Sequence, residues 1–387
     1  MKVLYVIPAM YPFGWAYSAR ARGIANMIST HGDDITVFAD YLSDGTDWAS
    51  NNVAYDGKIR IVTVTGIYAS QRTFVDKASV GLKTWPALDK YIAENPVDII
   101  ITSSSISKYS AVRKAAKKYK IPVVLEVCEW YSHKNWTFGY CDPRYIRFQY
   151  YWKRKYTTEK KAICISQLLQ KHFEKHGSDT VRIPTIMDVS NKRSNIDRRM
   201  HTPIKLIFIG GITGGKDELR NIIEVVCCSK THDFDVDIYG PSEMSIRALL
   251  RKNEIKDTVF SERIHMFGSI DQRKIADKLL DADFGVLIRP NRRSSNAGFP
   301  TKLGEYFAAG LPIIANMTGD IPLYVKNMEN GVVMTDNSIE SIQDALKTIK
   351  SLSDDQYLHM KLQARETAEK YFDYNGYIDD LYALIEK

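Results

Sequence analysis

Lys302 and Glu305 lie three residues apart in the run NAGFPTKLGEYFAAGLPIIA, Asn296–Ala315, where a polar loop, a short helix and a buried strand follow one another. Pro300 suits the first turn of a helix, Gly310 and Pro312 end it, and Leu303, Phe307 and Ala308 recur at helical spacing to give one apolar face. The pattern predicts a helix of about three turns. Its first-turn amides have no intrahelical acceptor, and with Thr301 and Lys302 beside them they favour an anion such as a diphosphate. Glu305 lies roughly 6 Å further along at 1.5 Å per residue. A carboxylate there accepts two hydrogen bonds and suits a vicinal diol. Diphosphate and diol at that separation describe a nucleotide sugar.

Other polar groups gather around the same chemistry. In GGITGGK, Gly210–Lys216, the glycines expose backbone amides and Lys216 brings a point charge. Neither Ser nor Thr follows the lysine, which excludes a Walker motif. Arg289, Arg292 and Arg293, in LIRPNRRSS, stand just before the predicted helix and add positive charge. Sugar transfer requires the departing diphosphate to be stabilised as the bond to the anomeric carbon breaks. Lys216, Arg292 and the Thr301–Lys302 end of the helix supply that electrostatically, without a metal. EVCEWYSHKNW places Glu126, Glu129 and His133 just past a predicted strand end, where acceptor-binding or proton-handling groups belong. The run Arg144–Lys161 mixes seven basic residues with aromatics. It reads either as an amphipathic helix packed by its aromatics or as an anionic-membrane surface.

The elements that must hold these groups are strands and helices in alternation. Val3–Ile7 is an apolar strand run, followed by a loop with Pro8, Pro12 and Gly14, a helix from Ser18 to His31 and a strand at Ile35–Ala39. That order opens a doubly wound parallel sheet, whose ligands bind beyond the carboxyl ends of its strands. Gly14 lets the backbone approach a ligand closely. Ile59–Thr65, Val97–Thr102, Pro122–Val127 and Ala162–Ile165 continue the strands. Ile67–Pro86 has no clear period and reads as a loop, mobile or facing an acceptor. Ser190–Pro203 is polar, charged and aperiodic, as a domain boundary is. A second set follows, with strands at Lys205–Ile209, Val236–Tyr239, Ile264–Phe267, Phe284–Ile288 and Pro312–Ala315, and helices at Leu219–Cys228, Ser245–Arg251, Arg273–Leu280, Ser338–Ser351 and Asp354–Tyr371. The expected division is a first domain over 1–190, a linker over 191–203, a second domain over 204–370 and a terminal segment over 371–387.

With 387 residues, 44% hydrophobic and 26% charged, the chain suits two globular domains, and its net charge of +7 suits anionic ligands without pointing to nucleic acid. Five cysteines without zinc spacing read as reduced thiols. With no signal-like start and no apolar run long enough for a bilayer, a cytoplasmic location is expected.

The Asn296–Ala315 run resembles the donor-site signature of GT-B glycosyltransferases, specifically glycosyltransferase family 4. The resemblance covers nearly the whole chain and is strongest over Lys205–Gly331. It implies an α/β fold of two Rossmann-like domains facing a central cleft, with the terminal helix crossing back onto the first. It implies Glu305 on the ribose, Lys216 with Gly211 at the diphosphate, Gly298, Phe299, Pro300, Thr301 and Lys302 lining the donor, Gly14 against the cleft and Ser269 near the nucleobase. Family 4 usually has a glutamate where this chain has Ala297 and an arginine where it has Gly211. Asn296 stands in for the first and Arg289 or Arg292 for the second. The family retains anomeric configuration and uses no metal cofactor, and the leaving phosphate itself takes the acceptor proton. The expected activity is transfer from a nucleotide sugar to a saccharide or lipid-linked saccharide in bacterial surface polysaccharide assembly, at the cytoplasmic face of the membrane. A non-catalytic nucleotide-binding subunit and a sugar-nucleotide epimerase on the same fold are the alternatives.

Overall fold

The computed structural model describes residues 1–211, 218–250 and 255–386. The chain forms two compact units, Met1–Met187 with Tyr374–Lys387, and Asp188–Asp373.

The first unit is built on one sheet. From one edge its strands are Asp179–Arg182, Lys161–Cys164, Val123–Val127, Ile99–Ser103, Lys2–Val6, Asp34–Ala39 and Ile59–Thr63, all parallel, after which Val53–Asp56 and Trp48–Ser50 add antiparallel. The central strands are continuous apolar runs because both faces are covered. Val3, Tyr5, Ile35, Val37 and Ile101 pack on one side, and Leu4, Val6, Phe38 and Ile100 on the other. Leu381, Leu384 and Ile385 of the terminal helix join the first of these cores, and Lys161 Nζ donates to the Ile385 carbonyl at 2.8 Å.

Residues 67–86 depart from the sequence reading. A short 3-10 turn at Ala69–Gln71 leads into a helix over Phe74–Glu94, capped by a reciprocal pair in which Asp76 N–H donates to Thr73 Oγ1 at 3.2 Å and Thr73 N–H donates to Asp76 at 3.0 Å. Pro86 inside the helix and apolar residues on its outer side blur the amphipathic period. The inner side, Thr84, Leu88, Tyr91 and Ile92, is buried.

The second unit holds an all-parallel sheet in the order Ile264–Gly268, Phe234–Tyr239, Ile204–Ile209, Phe284–Leu287, Ile313–Asn316, Gly331–Met334. The chain starts in the middle and moves first to one edge and then to the other. The reversal falls between Ile204–Ile209 and Phe284–Leu287, and a doubly wound sheet binds its ligand at the carboxyl ends of such a pair. The polar run 191–203 is fastened to this unit: Asn195 N–H donates to the Ala309 carbonyl at 3.1 Å, and buried Asp283 accepts from Arg198 at 2.9 Å and His201 Nδ1 at 3.1 Å. Among the described residues no helix is long and apolar enough to cross a membrane.

Candidate active site

The helix that carries Glu305 runs over Thr301–Ala308, shorter than the sequence pattern suggested, with Pro300 as its N-cap. It ends early because Gly310, at φ 68°, turns the chain left-handed, and the Gly310 and Leu311 amides donate to Phe307 and Tyr306 carbonyls at 2.9 Å each. Leu303, Tyr306 and Phe307 are fully buried. Tyr306 fixes the helix to the sheet: its hydroxyl accepts from the Ile209 amide at 3.2 Å, and its ring lies so close to Gly285 that a Cβ there would approach it to 2.4 Å. Helix and switch-point strands are thus one rigid piece.

Lys302 lies over the end of the first strand of this sheet. Its ammonium sits 3.9 Å from the centre of the Phe208 ring, and a Cβ on Gly210 would come within 2.6 Å of Lys302 Cε. Gly210 has φ 139°, so this position requires glycine for its backbone and for the lysine packed against it. A Cβ on Gly240, just past the neighbouring strand, would come within 2.3 Å of the Gly210 carbonyl oxygen. Burial pushes the Glu305 carboxyl above its ordinary range, opposed by the charges of Lys192 and Lys302, while the side chain keeps partial access to solvent. A desolvated carboxylate beside cations at a switch point suits a ligand bearing both hydroxyl and anionic groups.

Other expected donor contacts are placed as follows. Lys216 lies outside the described residues. Gly211 is the last described residue before that turn and is exposed. The Glu218 amide donates to the Ile288 carbonyl at 2.9 Å and its carboxylate lies 4.0 Å from Arg292. Arg292 is half exposed there. Arg289 is buried inside: its guanidinium donates to the Ser295 carbonyl at 3.1 Å, and Asn316 grips its backbone at 2.8 and 2.7 Å. Asn296 accepts from the Gly319 amide at 3.0 Å and donates to Asn291 at 2.8 Å, so its amide organises two loops. Ala297 and Gly298 are buried, and Phe299 packs edge-on to Tyr324 at 5.4 Å. Thr301 keeps partial access. Ser269 is exposed just past the strand Ile264–Gly268. Beside it, Phe267 stacks on Tyr239 at 4.6 Å with half its surface open, a pair that no sequence motif marks.

Two Asp-x-Asp triplets are occupied structurally. Asp235 and Asp237 pair with His232 and His265 at 2.7 and 2.9 Å, and Asp281 and Asp283 hold Lys205, Arg198 and His201. Among the described residues no three His, Cys, Asp or Glu side chains converge as a metal site.

In the first unit, Glu126 lies within the strand Val123–Val127 and not past its end. Its fully buried carboxylate accepts from Tyr5 at 2.5 Å, from Tyr17, and from Arg20 Nε at 2.6 Å, while Arg20 also donates to the Ile183 and Pro184 carbonyls at 2.9 and 2.7 Å. This network ties the helix Ala16–His31 to the sheet and to the segment at Ile183 and Pro184. Gly14 sits where a Cβ would meet Met10 Cγ at 2.5 Å. Glu129 is half-buried and bonded to Tyr131, whose hydroxyl burial pushes up. His133 stacks face to face on Tyr140 at 3.9 Å. The run Arg144–Lys161 contains a helix over Pro143–Arg154 whose Tyr145, Phe148 and Trp152 pack inward, Trp152 stacking on Trp130 at 4.8 Å, while Ile146 and Tyr150 face solvent among the basic residues.

Residues 203–351 match the family model described as glycosyl transferases group 1. No curated protein matches. Solved structures align over the entire chain: sucrose-phosphate synthase from Thermosynechococcus elongatus at TM-score 0.74 and 14% identity, covering 98% of that chain, and WaaG, a glycosyltransferase involved in lipopolysaccharide biosynthesis, at 0.68 and 13%, covering 100%. Anabaena HepE in complex with UDP and glucose aligns at 0.65 and 14%, covering 100% of both chains. The architecture is therefore the α/β GT-B fold, two Rossmann-like units. Its second unit matches the glycosyl transferases group 1 model over residues 203–351.

Proposed function

We propose that the protein transfers a sugar, with retention of anomeric configuration, from a nucleotide-sugar donor to a saccharide or lipid-linked saccharide acceptor, as family 4 enzymes do. The observation that carries this reading is the desolvated Glu305 beside Lys302, on a helix locked to the switch point of the second sheet. Glu305 binds the ribose hydroxyls. Lys302, Lys216 and Arg292 with the head of the helix bind the diphosphate and stabilise it as it leaves, so that no metal is needed. Thr301 and Gly211 complete the diphosphate contacts, Ser269 meets the base, and Asn296 reaches the donor sugar by way of the loop that it organises. Glu129 and His133 stand on the acceptor side, and the Gly14 loop lies against the donor. Two of the similar proteins support the reading by their own descriptions, one bound to UDP and glucose and one involved in lipopolysaccharide biosynthesis. A role in surface polysaccharide assembly at the cytoplasmic face of the membrane follows from it.

The buried Ala297, where family 4 has a glutamate, favours a second reading: a nucleotide-binding subunit without turnover. Incubation with a panel of nucleotide sugars, reading nucleotide release and thermal shift together, separates the two. Slow hydrolysis of one donor, lost in Lys216→Ala, supports transfer. Binding without release, even when saccharide acceptors are added, supports the subunit.

A further inference from the structure

The helix Phe74–Glu94 is apolar on two sides. Its inner side packs into the first unit, whereas surface helices ordinarily turn polar residues outward. Here Phe74 is 85% exposed and Leu82 81%, the two most open large apolar residues described in that unit, and Val75 beside Phe74 is 68% exposed. Phe74 and Leu82 fall with Ala78 and Pro86, also exposed, at positions 74, 78, 82 and 86, a ridge spaced by four along one helical face with Val75 at its flank. The ridge is about 18 Å long at 1.5 Å per residue. Among the described residues of the first unit, neither apolar core includes Phe74, Val75 or Leu82.

The neighbouring helices identify what would cover it. Ile106–Tyr119 lies alongside, with Gly81 against Ser107 and Lys114 over the Trp85 ring, and on its other flank Ser110 bonds Tyr151 of Pro143–Arg154 at 2.9 Å. Ile106–Tyr119 contains no carboxylate and exposes Arg113, Lys114, Lys117 and Lys118. Pro143–Arg154 also contains none, and exposes Arg144, Arg147, Lys153 and Arg154 around Ile146 and Tyr150. Three adjacent helices thus present an apolar ridge beside a cationic field carrying exposed aromatics. A second copy of the chain would bring like charges together over that field. An anionic lipid surface meets both features, since apolar side chains enter the headgroup boundary while lysines and arginines meet the phosphates.

We infer that the first unit docks on an anionic membrane, with Phe74, Val75 and Leu82 as the inserted ridge and Lys114, Lys117, Arg147, Lys153 and Arg154 as its cationic border. This deepens the transferase reading by making the acceptor lipid-linked and presented at the bilayer. Docking itself does not depend on that reading.

The test is sedimentation of the full chain with vesicles of phosphatidylcholine alone and with phosphatidylglycerol added. The wild type is expected to bind the anionic vesicles, and Phe74→Glu with Leu82→Glu to lower that binding about tenfold or more. Both positions are exposed, so the melting temperature and the thermal shift with nucleoside diphosphates stay at wild-type values. Phe74→Ala with Leu82→Ala gives a second, milder variant with an intermediate loss. Failure of the wild type to bind either vesicle, binding indifferent to both double variants, or a dimer in light scattering that the glutamates dissociate would each overturn the proposal. Donor hydrolysis measured without vesicles reports on the transferase reading separately.

Discussion

Replacing Glu305 by Gln is predicted to weaken the donor site and stabilise the empty protein at once. Burial raises the Glu305 carboxyl against the pull of Lys192 and Lys302, so the folded state binds a proton more readily than the unfolded chain. The ionised side chain therefore costs stability, and this cost grows as pH rises from the ordinary carboxylate range through the raised value. Glu305→Gln removes it, and the unliganded variant should melt at higher temperature at pH 7, with the difference vanishing at acidic pH. Binding changes in the opposite sense. A charged hydrogen-bond acceptor lost from a ribose contact costs about 1.5 to 3 kcal/mol, or roughly ten- to 150-fold in Kd. Calorimetric titration with the nucleoside diphosphate and its 2′,3′-dideoxy analogue isolates the contact. Wild type should lose affinity for the analogue, and the variant should bind both alike. Equal discrimination by the two proteins would refute the ribose assignment, and an unaltered or lowered melting temperature would refute the electrostatic argument.

Three further outcomes are expected. Gly210→Ala should destabilise the protein by about 1 to 3 kcal/mol in urea unfolding, from its φ of 139° and the contact with Lys302, and should weaken diphosphate binding as Lys302 is displaced from Phe208. Glu126→Gln should cost about 3 to 5 kcal/mol, because it leaves the Arg20 guanidinium buried without its counter-charge; a change below 1 kcal/mol in the same assay would mean that the network carries little of the fold. Donor hydrolysis should continue in excess EDTA, and activity lost to the chelator and restored by a divalent ion would contradict diphosphate stabilisation by cationic side chains alone.

The central strands of both sheets are legible because each is an apolar run between turn residues, and a run such as Lys205–Ile209 is buried wherever its helices fall; the edge strands Trp48–Ser50, Val53–Asp56, Asp179–Arg182 and Gly331–Met334 are short or polar and give no such signal. The helix Phe74–Glu94 is not legible, because its outward Phe74, Val75 and Leu82 break the single apolar stripe by which a surface helix is recognised. At the site, the Glu305 helix could be placed from Pro300 and Gly310, which act locally. The orientation of Arg289 could not: its side chain turns inward to the Ser295 carbonyl, a contact set by how the loop folds over the strand Ile313–Asn316. Asn296 reads as a ligand contact in sequence, yet its partners include Gly319, 23 residues away. Glu126 likewise reads as a cleft carboxylate in sequence, yet Tyr5, Tyr17 and Arg20, distant along the chain, saturate it. Sequence spacing carries local geometry well and tertiary partners poorly.

The most direct measurement is nucleotide release from a panel of nucleotide sugars by wild type, Lys216→Ala and Glu305→Ala, each with and without saccharide acceptors. The account predicts release from one donor, abolished by the lysine change and weakened through KM by the glutamate change. Release unaffected by either substitution, or binding that never yields free nucleotide with any acceptor, would contradict it.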